Sequence, residues 1–185
     1  MKRSLLALSL LASLPFAASA ADGISYNYVQ GGYTAINGSG PDADGWGLGG
    51  SVAVHPNVHL FANYSNQNIK HTGIDFDRWR VGVGYNTSVS QRTDFVANAA
   101  YERLDAGGGV NVDGYSVEGG VRSALAPHLE GYAMVGYQDG HHYSGDAYGR
   151  LGATVKFNQN WGVNADVRFV NGGGNEWFVG PRFTF

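Results

Sequence analysis

Side chains that could perform catalysis are sparse in this sequence. It contains no cysteine, and no serine lies in the Gly-x-Ser-x-Gly pattern of an exposed serine nucleophile. Acyl transfer therefore has no support. The sequence predicts a protein that is not an enzyme and that needs no cofactor.

Two histidine groups could bind metal or titrate. His141 and His142 lie between Asp139 and Asp146, but adjacent histidines in a loop have no fixed chelating geometry, so we expect a solvated loop. His55 and His59 flank a turn at 56–57 and could face each other. We interpret them as interior packing residues rather than as a proton-transfer site.

Charged residues at alternate positions form a larger group. They include both signs and much arginine, which suits a closed interior where charges pair. Arg122 and Glu130 lie symmetrically about Ala126, so we expect them to face each other across a short turn. The charges assigned to this interior, or lumen, are Arg78, Arg80, Glu102, Glu118, Arg122, Glu130, Arg150, Asp166, Arg168 and Arg182.

The final stretch shows which element positions such charges. Every second residue from 177 to 185 is apolar, which predicts a β-strand with two different faces. An apolar face that ends on an aromatic resembles the assembly signal of bacterial outer-membrane barrels. We therefore interpret five residues as a signal for the barrel-assembly machinery: Trp177, Val179, Pro181, Phe183 and Phe185.

About ten segments alternate in the same way (eight is possible), separated by Gly, Asn, Asp and Pro clusters. Short turns alternate with longer loops at 66–75, 104–113 and 139–146, and the first strand is expected over Ile24–Ile36. The predicted fold is all-β: a single antiparallel transmembrane β-barrel of outer-membrane type. The alternative is a soluble sandwich or lipocalin-like barrel. The Gly-rich, Lys-poor polar face argues against it.

Aromatic residues of the apolar faces cluster towards strand ends. Such clusters are typical of the two aromatic girdles of a membrane barrel. The girdle residues are Trp46, Trp79, Trp161, Tyr101 and Tyr137.

The N-terminus predicts export. Met1-Lys2-Arg3 is followed by an apolar run to Phe16 and by the small residues Ala18-Ser19-Ala20, which indicates a signal peptide at 1–20 and a barrel at 21–185. The run is too short for a membrane-spanning anchor.

A net charge of −3 gives no basic stripe for nucleic acid. The expected partners are outer-membrane lipids, lipopolysaccharide and the barrel-assembly machinery, and the oligomeric state stays open.

The sequence favours a structural or surface-interaction barrel of the outer membrane. Inward-facing Phe61, Tyr132, Tyr148 and Phe178 favour a filled lumen. A narrow diffusion pore is the alternative, and an outer-leaflet enzyme is a weaker one.

The stretch Ala21-Asp22-Gly23-Ile24-Ser25-Tyr26-Asn27-Tyr28-Val29-Gln30-Gly31-Gly32-Tyr33 resembles the mature start of the sulfation-dependent quorum factors, a family of small outer-membrane barrels. The signal-peptide ending Leu14-Pro15-Phe16-Ala17-Ala18-Ser19-Ala20 and the aromatic C-terminus fit the same family. The resemblance implies a role in quorum sensing or host recognition. It also implies a sulfated tyrosine, at the position of Tyr26.

Deleting Phe185, or replacing it with Ser, is expected to impair assembly, because the assembly signal loses its terminal aromatic. The amount of protein in outer-membrane fractions measures the effect. The same replacement at Phe157, an outward aromatic outside the final strand, is the control and should cost less. Normal membrane levels of the Phe185 variants would refute the role given to the C-terminus.

Overall fold

The computed structural model describes residues 21, 23–38, 41–70, 72–106, 111–141 and 143–185, with only the backbone at 143 and 144. The predicted signal peptide lies outside these described residues. Within them, no helix is long and apolar enough to cross a membrane.

Ten antiparallel strands form one closed barrel, which confirms the predicted fold class and the larger strand count. The strands are β1 (Tyr28–Gly38), β2 (Ala43–His55), β3 (Val58–Ile69), β4 (Ile74–Ser90), β5 (Thr93–Asp105), β6 (Asn111–Ala126), β7 (Leu129–Gly140), β8 (Tyr143–Lys156), β9 (Trp161–Val170) and β10 (Gly174–Thr184).

Each strand pairs with its neighbours in sequence, and β10 pairs with β1 to complete the ring. The β1–β10 register runs from Tyr28 opposite Thr184 to Gly38 opposite Gly174. Because every strand has a partner on both sides, the sheet has no free edge. The final strand therefore closes the barrel, as its position in the sequence predicted.

The two faces of the sheet are inverted relative to a soluble protein. The four tryptophans are about half exposed on the outside, whereas Arg80, Glu118 and Arg168 are buried within. Period-two alternation in every strand places aliphatic and aromatic residues on one face and polar residues on the other. This arrangement excludes the soluble sandwich, in which tryptophans would fill the core.

The strands are longer than predicted, and the loops at one rim are correspondingly shorter. β3 continues to Ile69 and β4 begins at Ile74, so most of the loop expected at 66–75 is paired strand. The loops expected at 104–113 and 139–146 shorten in the same way. Cross-strand hydrogen bonds such as Asn68 Nδ2 to Asp75 Oδ1 (2.8 Å) explain the error. Asn and Asp suggest turns, but here they satisfy one another across the sheet.

The first strand begins at Tyr28 rather than Ile24. Residues 21 and 23–27 precede it as a separate segment, which we call the N-terminal plug. Gly23 has a positive φ of 85°, and the Ile24 amide donates to the Ala21 carbonyl (3.0 Å), so the chain turns back on itself. Ala21, Ile24 and Tyr26 then pack in a small apolar cluster with inward side chains of the barrel.

The seam between β1 and β10 depends on glycine. Pairing is interrupted between Gln30–Arg182 and Tyr33–Val179, where Pro181 offers no N–H. There the two backbones approach so closely that a Cβ on Gly32 would overlap the Val179 carbonyl, and one on Gly180 would overlap the Gly31 carbonyl.

Gly180→Ala is therefore expected to destabilise the closed barrel by about 1–3 kcal/mol, the usual cost of overpacking. The temperature at which the compact form is lost on a heat-modifiability gel measures it. Gly149→Ala is the matched control, because a Cβ there meets nothing within 4 Å. Equal transition temperatures for the two variants would contradict this description of the seam.

Candidate functional site in the barrel lumen

The ten charges predicted for the lumen all lie inside the barrel. Among those that form ion pairs there, side-chain exposure ranges from 1% for Glu118 to 26% for Arg78. Their alternation along the strands puts each on the polar face, and closure of the sheet turns that face inward. The lumen therefore contains all ten of the predicted charged side chains.

Eight of the charged groups in the lumen form one connected chain of alternating sign. Glu118 is central: Arg80 Nη2 and Arg150 Nη1 approach its two carboxylate oxygens at 3.3 and 3.5 Å. The chain links strands from opposite sides of the lumen. In order it runs Arg78, Glu176, Arg168, Glu102, Arg80, Glu118, Arg150, Asp166.

Glu176 was not among the charges predicted for the lumen. Its carboxylate lies 2.6 Å from Arg78 Nη1 and 3.6 Å from Arg168 Nη1. Glu176 is an even number of residues from Phe178 and Arg182, so it points to the same face of the strand. This alternation could have placed Glu176 in the lumen. The predicted last strand begins only at Trp177, whereas β10 begins earlier, at Gly174.

A second ionic cluster lies at the rim of short turns. Arg122 Nη2 is 2.6 Å and Lys156 Nζ 2.5 Å from Glu130. The predicted approach of Arg122 to Glu130 is present, but the two residues are not opposite each other. An irregularity at Ala124–Ala126 shifts the register, so Arg122 faces Tyr132 and the long guanidinium side chain reaches Glu130 diagonally.

Arg182 differs from the other interior arginines. Its Nε and Nη2 donate to Gln30 Oε1 at 2.9 and 2.6 Å, and its guanidinium lies 4.1 Å from the Tyr28 ring centroid. No carboxylate of the described residues lies within ion-pair distance of it. An amide oxygen and an aromatic face therefore replace the usual counter-ion.

Aromatic rings fill much of the remaining lumen. Arg168 stacks on Tyr148 at 3.8 Å, and the Tyr148 hydroxyl donates to Glu118 at 2.9 Å. The Tyr132 hydroxyl donates to Asp166, and Arg80 lies over Phe61. The remaining space includes a cavity of about 340 Å³ beside Arg78, Glu102 and Gln138 at the long-loop mouth. It also includes two smaller cavities of about 70 and 130 Å³, with Arg80 and Arg150 in the walls of both. Spaces of this size hold a few water molecules.

The N-terminal plug occupies the short-turn end. The Tyr26 ring stacks on His59 at 4.5 Å, and its hydroxyl donates to Asp94 Oδ2 at 3.0 Å. Burial raises the pKa of the Tyr26 phenol, so it stays a donor.

His59 is buried, as interior packing requires, but His55 is exposed and the two do not face each other. The sequence did not single out Asp94.

Asp139, His141 and Asp146 lie at the opposite rim, and His142 lies outside the described residues. In the described part of the chain, no three His, Cys, Asp or Glu side chains are placed to hold a metal ion.

The predicted girdle residues lie on the outer wall in two bands. Trp46, Trp79, Tyr101 and Tyr137 ring the long-loop side, where Trp79 packs on Tyr64 at 4.5 Å. Trp161 lies at the short-turn side.

The predicted assembly-signal residues follow the outer face of β10. Trp177, Val179, Pro181 and Phe185 are exposed there. Phe183 is half-buried, because its ring packs 5.0 Å from Trp161. Their role in assembly stays a prediction.

No family model and no curated protein sequence matches the chain. The solved structures that share its fold include two outer-membrane barrels. The KdgM porin has a TM-score of 0.50 at 14% identity over 85% of this chain and 99% of that one. The β domain of the Bordetella autotransporter BrkA has a TM-score of 0.51 at 13% identity over 86% and 99%. These likenesses identify an outer-membrane type of barrel fold. They do not support the resemblance to the quorum factors.

Glu118→Ala is expected to lower the free energy of unfolding by about 3–5 kcal/mol, because the buried Arg80 and the partly buried Arg150 lose their shared carboxylate. Urea titration of the folded barrel in lipid bilayers measures it. The control is Asp113→Asn, which removes the charge of a solvent-exposed pair with Arg103 at 4.0 Å, keeps an oxygen that can accept from the Tyr101 hydroxyl, and should cost under about 1 kcal/mol. A loss at Glu118 no larger than at Asp113 would show that the chain of ion pairs adds nothing.

Proposed function

We propose that the protein is a structural barrel of the bacterial outer membrane whose lumen is sealed and whose outer rim is its working surface. The observation that supports this most is the filled lumen. Eight charges form one connected chain across it, tyrosines bridge its walls, and two of the cavities left among these side chains measure about 70 and 130 Å³.

The outer wall supports the membrane location. Exposed Val, Leu and aromatic side chains cover it between the two bands of aromatic residues. Outer-membrane lipids and lipopolysaccharide are the partners of this wall, and the barrel-assembly machinery is the partner of β10 during insertion.

The long-loop rim has a repeated feature that suits a headgroup boundary. The hydroxyls of Tyr64 and Tyr101 donate to Asp77 and Asp113, at 2.7 and 2.6 Å. Each ring lies on the apolar wall while its hydroxyl binds a carboxylate above it, as amphipathic aromatics do at a membrane interface. This rim faces outward and is the surface we assign to contacts outside the cell.

A quorum-sensing or host-recognition role rests on the resemblance alone, and a sulfated Tyr26 fits the fold poorly. Its hydroxyl donates to Asp94 inside the barrel, and the ring is packed between His59 and Arg122. A recognition role would therefore use the outer rim rather than the mature N-terminus.

Planar-bilayer recording tests the sealed lumen against the narrow pore. The wild-type barrel is expected to give no discrete current steps. A variant with Arg80→Ala and Arg150→Ala should conduct, because these two side chains line both cavities and their removal enlarges the space between them. Arg103→Ala, at the exposed rim, is the matched control and should stay silent. Regular steps from the wild-type protein would overturn the proposal and favour a diffusion pore.

A further inference from the structure

The first residue after the predicted cleavage site is held against a fully buried carboxylate. Ala21 is 5% exposed, and its backbone nitrogen lies 3.0 Å from Asp94 Oδ1. Asp94 itself is 0% exposed. The contact joins the start of the predicted mature chain to β5, 73 residues further along.

Asp94 has no cation within ion-pair distance in the part of the chain that the structure describes. Its other donors are neutral: the Tyr26 hydroxyl at 3.0 Å and the Ser88 hydroxyl at 2.8 Å. Arg122 lies opposite Asp94 on β6, but its carboxylate partner is Glu130. A buried carboxylate without its own cation is costly, so this site favours a positive charge at its third donor, the Ala21 nitrogen.

Hydrogen bonds from several strands hold the N-terminal plug, and with it the Ala21 nitrogen, in place. Lys156 Nζ of β8 donates to the Gly23 carbonyl at 2.5 Å. The Ala53 amide of β2 donates to Asn27 Oδ1 at 2.7 Å, and the Phe185 amide donates to the Asn27 carbonyl at 3.1 Å. These anchors hold the plug in a position where the Ala21 nitrogen lies 3.0 Å from Asp94 Oδ1.

We propose that removal of the signal peptide after Ala20 creates an α-ammonium at Ala21 that forms a buried ion pair with Asp94. Hydrolysis by a peptidase breaks the Ala20–Ala21 amide bond. Water supplies the hydroxyl of the new Ala20 carboxylic acid and one hydrogen to the Ala21 nitrogen, and the acid proton then passes to the amine. An α-amine with an ordinary pKa of about 7.7–8.0 is mostly protonated at neutral pH.

The ion pair makes docking of the N-terminal plug depend on processing. An uncleaved chain offers Asp94 one neutral N–H, whereas the cleaved chain offers three donors and a full charge. Charge-assisted hydrogen bonds are roughly twice as strong as neutral ones. The short-turn end of the lumen is therefore closed firmly only after cleavage at this bond.

Amine labelling of the protein purified from membranes in mild detergent tests the inference. Peptide mass mapping is expected to find Ala21 as the first residue. Its α-amine should react at least about tenfold more slowly than Lys70, an exposed amine of the same molecule, and protection should vanish after boiling. Asp94→Asn should expose the α-amine. Asp75→Asn, which alters an exposed carboxylate, should not.

Labelling of the folded wild-type α-amine as fast as Lys70, or a mature chain that starts elsewhere, would overturn the inference. If Asp94→Asn fails to fold, a refolded chain with one glycine added before Ala21 replaces it. That chain should lose the protection and unfold at a lower temperature; unchanged protection would also overturn the inference. None of these readouts depends on whether the lumen conducts.

Discussion

Closure of the sheet is the constraint on which the rest of this structure depends. Each strand exchanges hydrogen bonds with two neighbours, and β10 completes the ring on β1. A barrel in lipid must satisfy every backbone N–H and C=O internally, and only a closed sheet does so. Backbone hydrogen bonding is hardest to complete at the seam between β1 and β10. Pro181 removes a donor there, and Gly32 and Gly180 let the two backbones approach.

Closure also decides what the polar faces must do. Once the sheet is a cylinder, ten alternating segments direct their charges into one narrow space, where water cannot solvate them fully. They must therefore pair, and Arg is suited to this because one guanidinium can serve two carboxylates. Arg80 does so with Glu102 and Glu118. The same pairing occupies space that a solute would need, so the interior electrostatics and the proposed sealing of the lumen have one cause.

The N-terminal plug shows that the interior is completed by a segment outside the barrel sheet. Ala21 and Tyr26 both bind Asp94, and Tyr26 also stacks on His59. This places a residue next to the predicted processing site in contact with the centre of a buried cluster. Under the proposed cleavage after Ala20, maturation of the chain and packing of the barrel end would be linked by a single carboxylate.

The sequence by itself determined the class of fold, the two faces of each strand and the side on which charges lie, because side-chain direction in a strand alternates with a fixed period of two. Only the tertiary structure decided where strands end and which charges meet. Asn68 and Asp75 suggest a turn, yet they bond across two paired strands. Glu176 and Asp94 became partners of distant groups through closure, since contacts across a lumen depend on register and shear rather than on local pattern.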